Sequence, residues 1–220
     1  SRAHCRRVFR NVENPLLIYA HSHINFSAYR TDADAVIGRA EVENIWMFAV
    51  GSQIDTSRRA VEYAEKYPHV WAAVGLHPTH LIDSVFDEAE EESGVTRVQY
   101  RSRAETFDVD AYRALAAHPR TVAIGECGLD RFHTPDGTDA GAVHAQQEEV
   151  FRQQITLAQE VNLPLIIHVR DAHEETIAIL ADTRASWRME PPFGLIHCYT
   201  GTWDQAQRYL DLGFNISFTG

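Results

Sequence analysis

AVHAQQEEVFRQQITLAQEVNLPLIIHVR, residues 142–170, reads as one helix followed by one strand. Val143, Val150, Phe151, Ile155, Leu157, Ala158 and Val161 recur at helical spacing among Gln and Glu, which makes one apolar stripe. Asn162 and Pro164 then end the helix, because a proline pushes the residue before it out of the α region. Leu165 to Ile167 is a strand-sized apolar run with no polar alternation, the pattern of a strand covered on both faces. A helix that delivers such a strand is half of a βα unit.

The same rhythm runs outward from this stretch. Strand-like runs precede it at Leu16 to Ala20, Ile45 to Val50, Val70 to Leu76 and Thr121 to Ile124, and follow it at Gly194 to Ile196 and Phe214 to Phe218. Seven such strands without a sheet-reversing break predict an α/β fold of the TIM (β/α)₈ type rather than an open doubly wound sheet. No eighth run lies within the 220 residues, and a full barrel takes about 250, so the expected barrel is incomplete at its C-terminus. Residues 1–14 read as an N-terminal extension and 15–220 as one barrel domain. Within it, 83–110 breaks the rhythm as a long polar insertion, carrying Asp87, Glu88, Glu90, Glu91 and Glu92, and is expected to be a solvated surface segment.

Composition narrows the classes. With 45% hydrophobic and 23% charged residues the chain can bury one substantial core, and no apolar run approaches the roughly 18 residues of a membrane span. Lys and Arg number 20 against 31 Asp and Glu, a net charge of −11 that disfavours a nonspecific electrostatic grip on nucleic acid. A phosphate-bearing substrate would need local help, such as metal ions. Cys5, Cys127 and Cys198 are too few for a disulfide framework, which favours a reducing compartment. The Arg-rich opening lacks the apolar stretch of a signal peptide, so a cytoplasmic protein is expected.

The residues that can do chemistry gather at the predicted strand ends. His21 and His23 close the first strand two apart, which puts both imidazoles on one face. Glu126 follows the run ending at Ile124, His168 follows Ile167, and His197 follows Ile196. In a parallel barrel those ends converge on one face, where active sites are built. Imidazoles with a carboxylate suit Zn²⁺, Mn²⁺, Fe²⁺ or Ni²⁺ better than an all-oxygen cage. Five ligands exceed what one open catalytic ion takes, but fit two ions with Glu126 as a bridge, His21 and His23 on one, His168 and His197 on the other. His77 and Arg170, also at strand ends, would face an anionic substrate, Arg170 by forking onto phosphate oxygens. Cys127 and Cys198 read as small core residues, and Thr202 as a helix N-cap.

In order, His21-Ser22-His23, Gly75-Leu76-His77-Pro78, Gly125-Glu126-Cys127-Gly128-Leu129-Asp130, Leu163 to Arg170 and His197-Cys198-Tyr199-Thr200-Gly201 resemble the TatD family of metal-dependent deoxyribonucleases. The resemblance implies a TIM-barrel hydrolase with two divalent ions (Zn, Mn, Mg, Fe or Ni) that cleaves DNA phosphodiester bonds with a metal-activated water. It carries His21 and His23 onto one ion, Glu126 between the two, His168 and His197 onto the other, and His77 and Arg170 toward the phosphate. Two departures stand out. Tyr19 occupies a position where the family usually has Asp, and the family's last Thr-Asp-x-Pro motif would fall beyond Gly220. The expected partners are DNA or a small phosphoester, with no membrane, for a monomeric chain. Hydrolysis of an amide, lactone or phosphotriester on the same centre, or a non-catalytic metal-binding scaffold, are the competing readings.

Overall fold

The helix expected from residue 142 spans Ala140–Val161 and ends where the sequence places its stop, with Asn162 in the left-handed conformation (φ 58°, ψ 45°). The computed structural model describes residues 15–88 and 98–218. The expected extension at 1–14, with Cys5, lies outside the described residues. In chain order the elements are β1 (Leu17–Ser22), α1 (Ala33–Val42), β2 (Ile45–Val50), α2 (Ile54–Lys66), β3 (Val70–Val74), β4 (Asp83–Glu88) and β5 (Val98–Arg103). They continue with α3 (Val109–Ala116), β6 (Thr121–Asp130), α4 (Ala140–Val161), β7 (Leu165–Arg170), α5 (His173–Thr183), β8 (Gly194–Ile196), α6 (Trp203–Asp211) and β9 (Asn215–Ile216).

Seven strands form one sheet in the order β1-β2-β3-β6-β7-β8-β9, and every neighbouring pair is parallel. All seven therefore end on the same side, as in an incompletely closed (β/α) barrel. Burial follows the period-two geometry of strands. Ala72, Val74, Ile124, Leu165 and Ile167 join Phe151, Ile155, Leu157 and Ala158 of α4 in the main core, while Val50, Ala73, Ala123 and Ile166 form a small cluster of their own. Double-sided burial fails at β1, where Leu17, Ile18 and Tyr19 are exposed, because β1 has one neighbour among the described strands.

β6 runs six residues past its expected end. Its pairing with β7 slips between Ile124 and Cys127, and Gly125 (φ 155°) and Gly128 (φ 137°) take backbone conformations that side chains rarely adopt. A Cβ on Gly128 would collide with the backbone carbonyl oxygen of His168. Gly128→Ala is accordingly expected to cost about 3 kcal/mol or more, from backbone strain and overpacking together. The melting temperature should fall by about 10 °C; an unchanged melt would contradict this account of the close strand approach.

The described residues of 83–110 are more structured than a solvated insertion. β4 and β5 form an antiparallel hairpin in which Ser102 is buried, and the chain beyond it buries Phe107. Phe107 stacks on Tyr112 of α3 at 4.8 Å. The Tyr112 hydroxyl donates to Glu105 Oε1 at 2.6 Å, and the same carboxylate accepts the Ile54 N–H at 3.0 Å. A carboxylate at the N-terminus of α2 is favourably placed against the helix dipole, so this end of the segment is tied to the barrel wall. The side chains of the acidic run from Asp87 to Glu92 lie outside the described residues. Among the described residues, no helix is long and apolar enough to cross a membrane.

Candidate metal centre

Glu126 is almost fully buried within β6, its N–H donating to the Gly51 carbonyl at 2.9 Å. Around its carboxylate the sheet brings imidazoles from four other strands or strand ends. Oε2 lies 3.3 Å from His21 Nε2 and 3.7 Å from His23 Nε2. Oε1 lies 3.6 Å from His77 Nε2, 3.3 Å from His168 Nδ1 and 3.3 Å from His197 Nε2. The two oxygens thus face two separate sets of ring nitrogens. The His197 ring also stacks flat on His21, 3.7 Å between centroids, so the two sets are contiguous.

Three of the rings, those of His23, His168 and His77, are oriented by what their other nitrogen meets. His23 Nδ1 lies 3.2 Å from the Val50 carbonyl oxygen, a contact in which it donates and which leaves Nε2 as the lone-pair nitrogen. His168 Nε2 lies 2.9 Å from Asp130 Oδ2, which leaves Nδ1 toward Glu126. His77 differs, since its Nδ1 accepts the Thr79 N–H at 3.3 Å and lies 2.8 Å from the Thr79 hydroxyl. A neutral His77 therefore carries its proton on Nε2, the nitrogen that points at Glu126.

Donor spacing tests whether an ion fits. Ligand distances of about 2.1 Å in a tetrahedral site imply donor–donor edges of about 3.4 Å. His21 Nε2, His23 Nε2 and Glu126 Oε2 form a triangle with edges of 3.1, 3.3 and 3.7 Å. That is the shape of one tetrahedral face. On the other side, His77, Glu126 and His168 offer donor atoms within 4.8 Å of one another, and His197 reaches the same carboxylate oxygen. No Cys thiolate takes part, so the donors are those of a catalytic rather than a structural zinc-type site.

Electrostatics fit the same picture. Burial would raise the Glu126 carboxyl, but His21, His77 and hydrogen bonds from His168 and His197 hold it well below the usual range. Burial pushes His77 well down and lowers His23, keeping both neutral near pH 7. Burial also opposes charge on His168, yet the hydrogen bonds to Asp130 and Glu126 outweigh it and raise the ring to about 9. Any cation entering here replaces a proton on that ring.

Asp130 carries no role in the sequence reading, although it stands in the quoted Gly-Glu-x-Gly-Leu-Asp motif. It is fully buried, and it binds His168 Nε2, His133 Nδ1 at 2.8 Å and the His133 N–H at 2.8 Å. The strand's period of two, which puts residues 126 and 130 on one face, was the available signal. Arg170 stands apart from the carboxylate: it is exposed at the end of β7 with its guanidinium 4.7 Å over the Phe132 ring. Cys127 is buried with its thiol pushed up by burial, as a core residue. Thr202 caps α6 in a capping box with Gln205.

His80 sits behind His77, nearly buried, and burial lowers its ring to about 4. Its folded value lies below the unfolded value near 6.5, so between those limits the unfolded chain binds more protons and stability falls as pH falls. The full contribution, about 3 kcal/mol, is present above pH 6.5 and lost by about pH 4. In chelator, His80→Gln should flatten the loss of stability between pH 6.5 and 4. Denaturant melts of wild type and variant with equal slopes across that window would contradict it.

Comparison with known proteins agrees with the geometry. A family model described as TatD related DNase matches residues 18–220. The chain is 37% identical over 206 residues to the uncharacterized metal-dependent hydrolase YabD of Bacillus subtilis, covering 93% of this chain and 69% of that protein. It is 33% identical over 202 residues to the 3'-5' ssDNA/RNA exonuclease TatD of Salmonella typhimurium, covering 90% of this chain and 65% of that one. Among solved structures it resembles YJJV, a TatD homolog from Escherichia coli, with a TM-score of 0.68, 28% identity, and coverage of 91% of this chain and 66% of that chain. The chain thus spans about two thirds of the length of the relatives it matches.

Proposed function

This chain belongs to the TatD related DNase family, and from that premise we propose that it is a metal-dependent hydrolase that removes nucleotides from the ends of single-stranded DNA. One observation carries the proposal: the two oxygens of a single buried carboxylate each face their own set of imidazole nitrogens at ligand spacing. A carboxylate so placed can bridge two divalent ions, His21 and His23 holding one, His168 and His197 the other. Such ions, when bound, supply a nucleophilic water at neutral pH and Lewis acidity at the phosphoryl oxygens.

The chain's own groups then divide the remaining work. Glu126 stays ionised and fixes the spacing of the two imidazole sets. Asp130 holds the His168 ring so that Nδ1 faces inward. His77, kept neutral by burial, presents an Nε2–H toward the centre, where it can donate to a non-bridging phosphate oxygen; that hydrogen-bonding state suits a substrate contact better than a ligand. Arg170, outside the ring of histidines, is proposed to contact the substrate strand from its place over Phe132. The 33% identical relative named as a 3'-5' ssDNA/RNA exonuclease supports attack from the 3′ end.

The test is direct. Chelated protein resupplied with Mg²⁺, Mn²⁺ or Zn²⁺ should release nucleotides from labelled single-stranded DNA and leave a panel of lactones and cyclic amides largely intact. Preference for the lactones or amides would move the proposal to that substrate class, and bound metal with no turnover on any substrate would favour a scaffold.

A further inference from the structure

Immediately past Asp130 the chain presents an aromatic ring to solvent at the rim of the histidine cluster. Phe132 is 58% exposed. Its neighbours are fixed on every side. Arg131 donates its N–H to the Arg170 carbonyl at 2.9 Å and its guanidinium to Glu148 at 2.7 Å. His133 is bound through backbone and ring to Asp130, the same carboxylate that holds His168, and its ring meets Phe132 edge-on at 4.8 Å. Arg170, which pairs with Asp130 in the sheet register, lays its guanidinium over the Phe132 ring at 4.7 Å.

From this arrangement we infer that Phe132 and Arg170 form a stacking platform for the unpaired base of the nucleotide being removed, an inference that rests on the nuclease reading above. An aromatic ring with a guanidinium laid over it presents a flat surface on which single-stranded bases stack without regard to sequence. The platform is joined to the histidine cluster through Asp130, which holds both His133 beside Phe132 and His168 beside Glu126. In a chain of net charge −11, stacking supplies affinity that general electrostatics cannot. The platform is preorganised, since none of its anchors has to move.

The experiment compares a single-stranded oligonucleotide with an intact terminal base to the same strand ending in an abasic nucleotide. Wild type should cut the intact strand with kcat/KM about tenfold higher, in line with the energy of one stacked base. Phe132→Ala should erase that preference and Phe132→Trp should keep it; an undiminished preference in Phe132→Ala overturns the inference. Binding of a strand with 2-aminopurine at its 3′ end, followed by fluorescence in chelator, separates this from the nuclease reading. Quenching that Phe132→Ala abolishes upholds the platform even if the protein cuts no strand. Quenching that the substitution leaves unchanged removes the platform even if cleavage is robust.

Discussion

Glu126→Gln should lower kcat/KM on single-stranded DNA by about a thousandfold or more, with metal supplied in excess. The amide keeps the shape of the side chain but presents one oxygen and one NH₂ group, so it can face only one of the two imidazole sets as an acceptor. The charge matters as much as the shape. Five ring nitrogens from His21, His23, His77, His168 and His197 stand within 3.3 to 3.7 Å of this one carboxylate, and two cations in a buried pocket need its negative charge to offset their desolvation. Bound metal should fall together with turnover. A circular dichroism spectrum and melt like those of wild type would show that the loss is local, and activity within tenfold of wild type would remove Glu126 from the centre.

The second large effect is expected at a residue that touches no substrate. Asp130→Asn should weaken metal binding by about 10- to 100-fold, the usual cost of losing a carboxylate behind a ligating histidine. An Asn in this place can turn its NH₂ toward His168 and demand the opposite tautomer, which would put the ring proton on Nδ1, where a lone pair is needed. The same change withdraws one of the two carboxylates that raise the His168 ring to about 9, so that ring should titrate lower in the variant. Titration calorimetry with Zn²⁺ measures the first effect, and histidine NMR of the metal-free protein the second. Wild-type affinity in Asp130→Asn would mean that His168 does not bind metal through Nδ1.

The barrel and most of its centre were legible because strand periodicity and strand ends are written locally. The runs before and after residues 142–170 all became neighbours in one parallel sheet, and His21, His23, Glu126, His168 and His197 converged as strand ends in a barrel must. What the sequence hid was decided by contacts between distant segments. β6 continues through Gly125 and Gly128 because β7 approaches them closely, a contact that the run Thr121 to Ile124 does not announce. The described part of 83–110 beyond β5 depends on Phe107 meeting Tyr112 and on Glu105 meeting the start of α2, pairings that no local period announces. Arg170 was expected on phosphate oxygens, and its neighbour Phe132 was not singled out at all, because an exposed ring next to a cation has no signature in spacing.

Anomalous diffraction from crystals soaked in Mn²⁺ or Zn²⁺ tests the centre most directly. Two peaks about 3.5 to 4 Å apart are expected, one beside each Glu126 oxygen, with His21 and His23 at the first and His168 and His197 at the second. A single peak lying away from Glu126, or ions held by none of these imidazoles, would contradict the account.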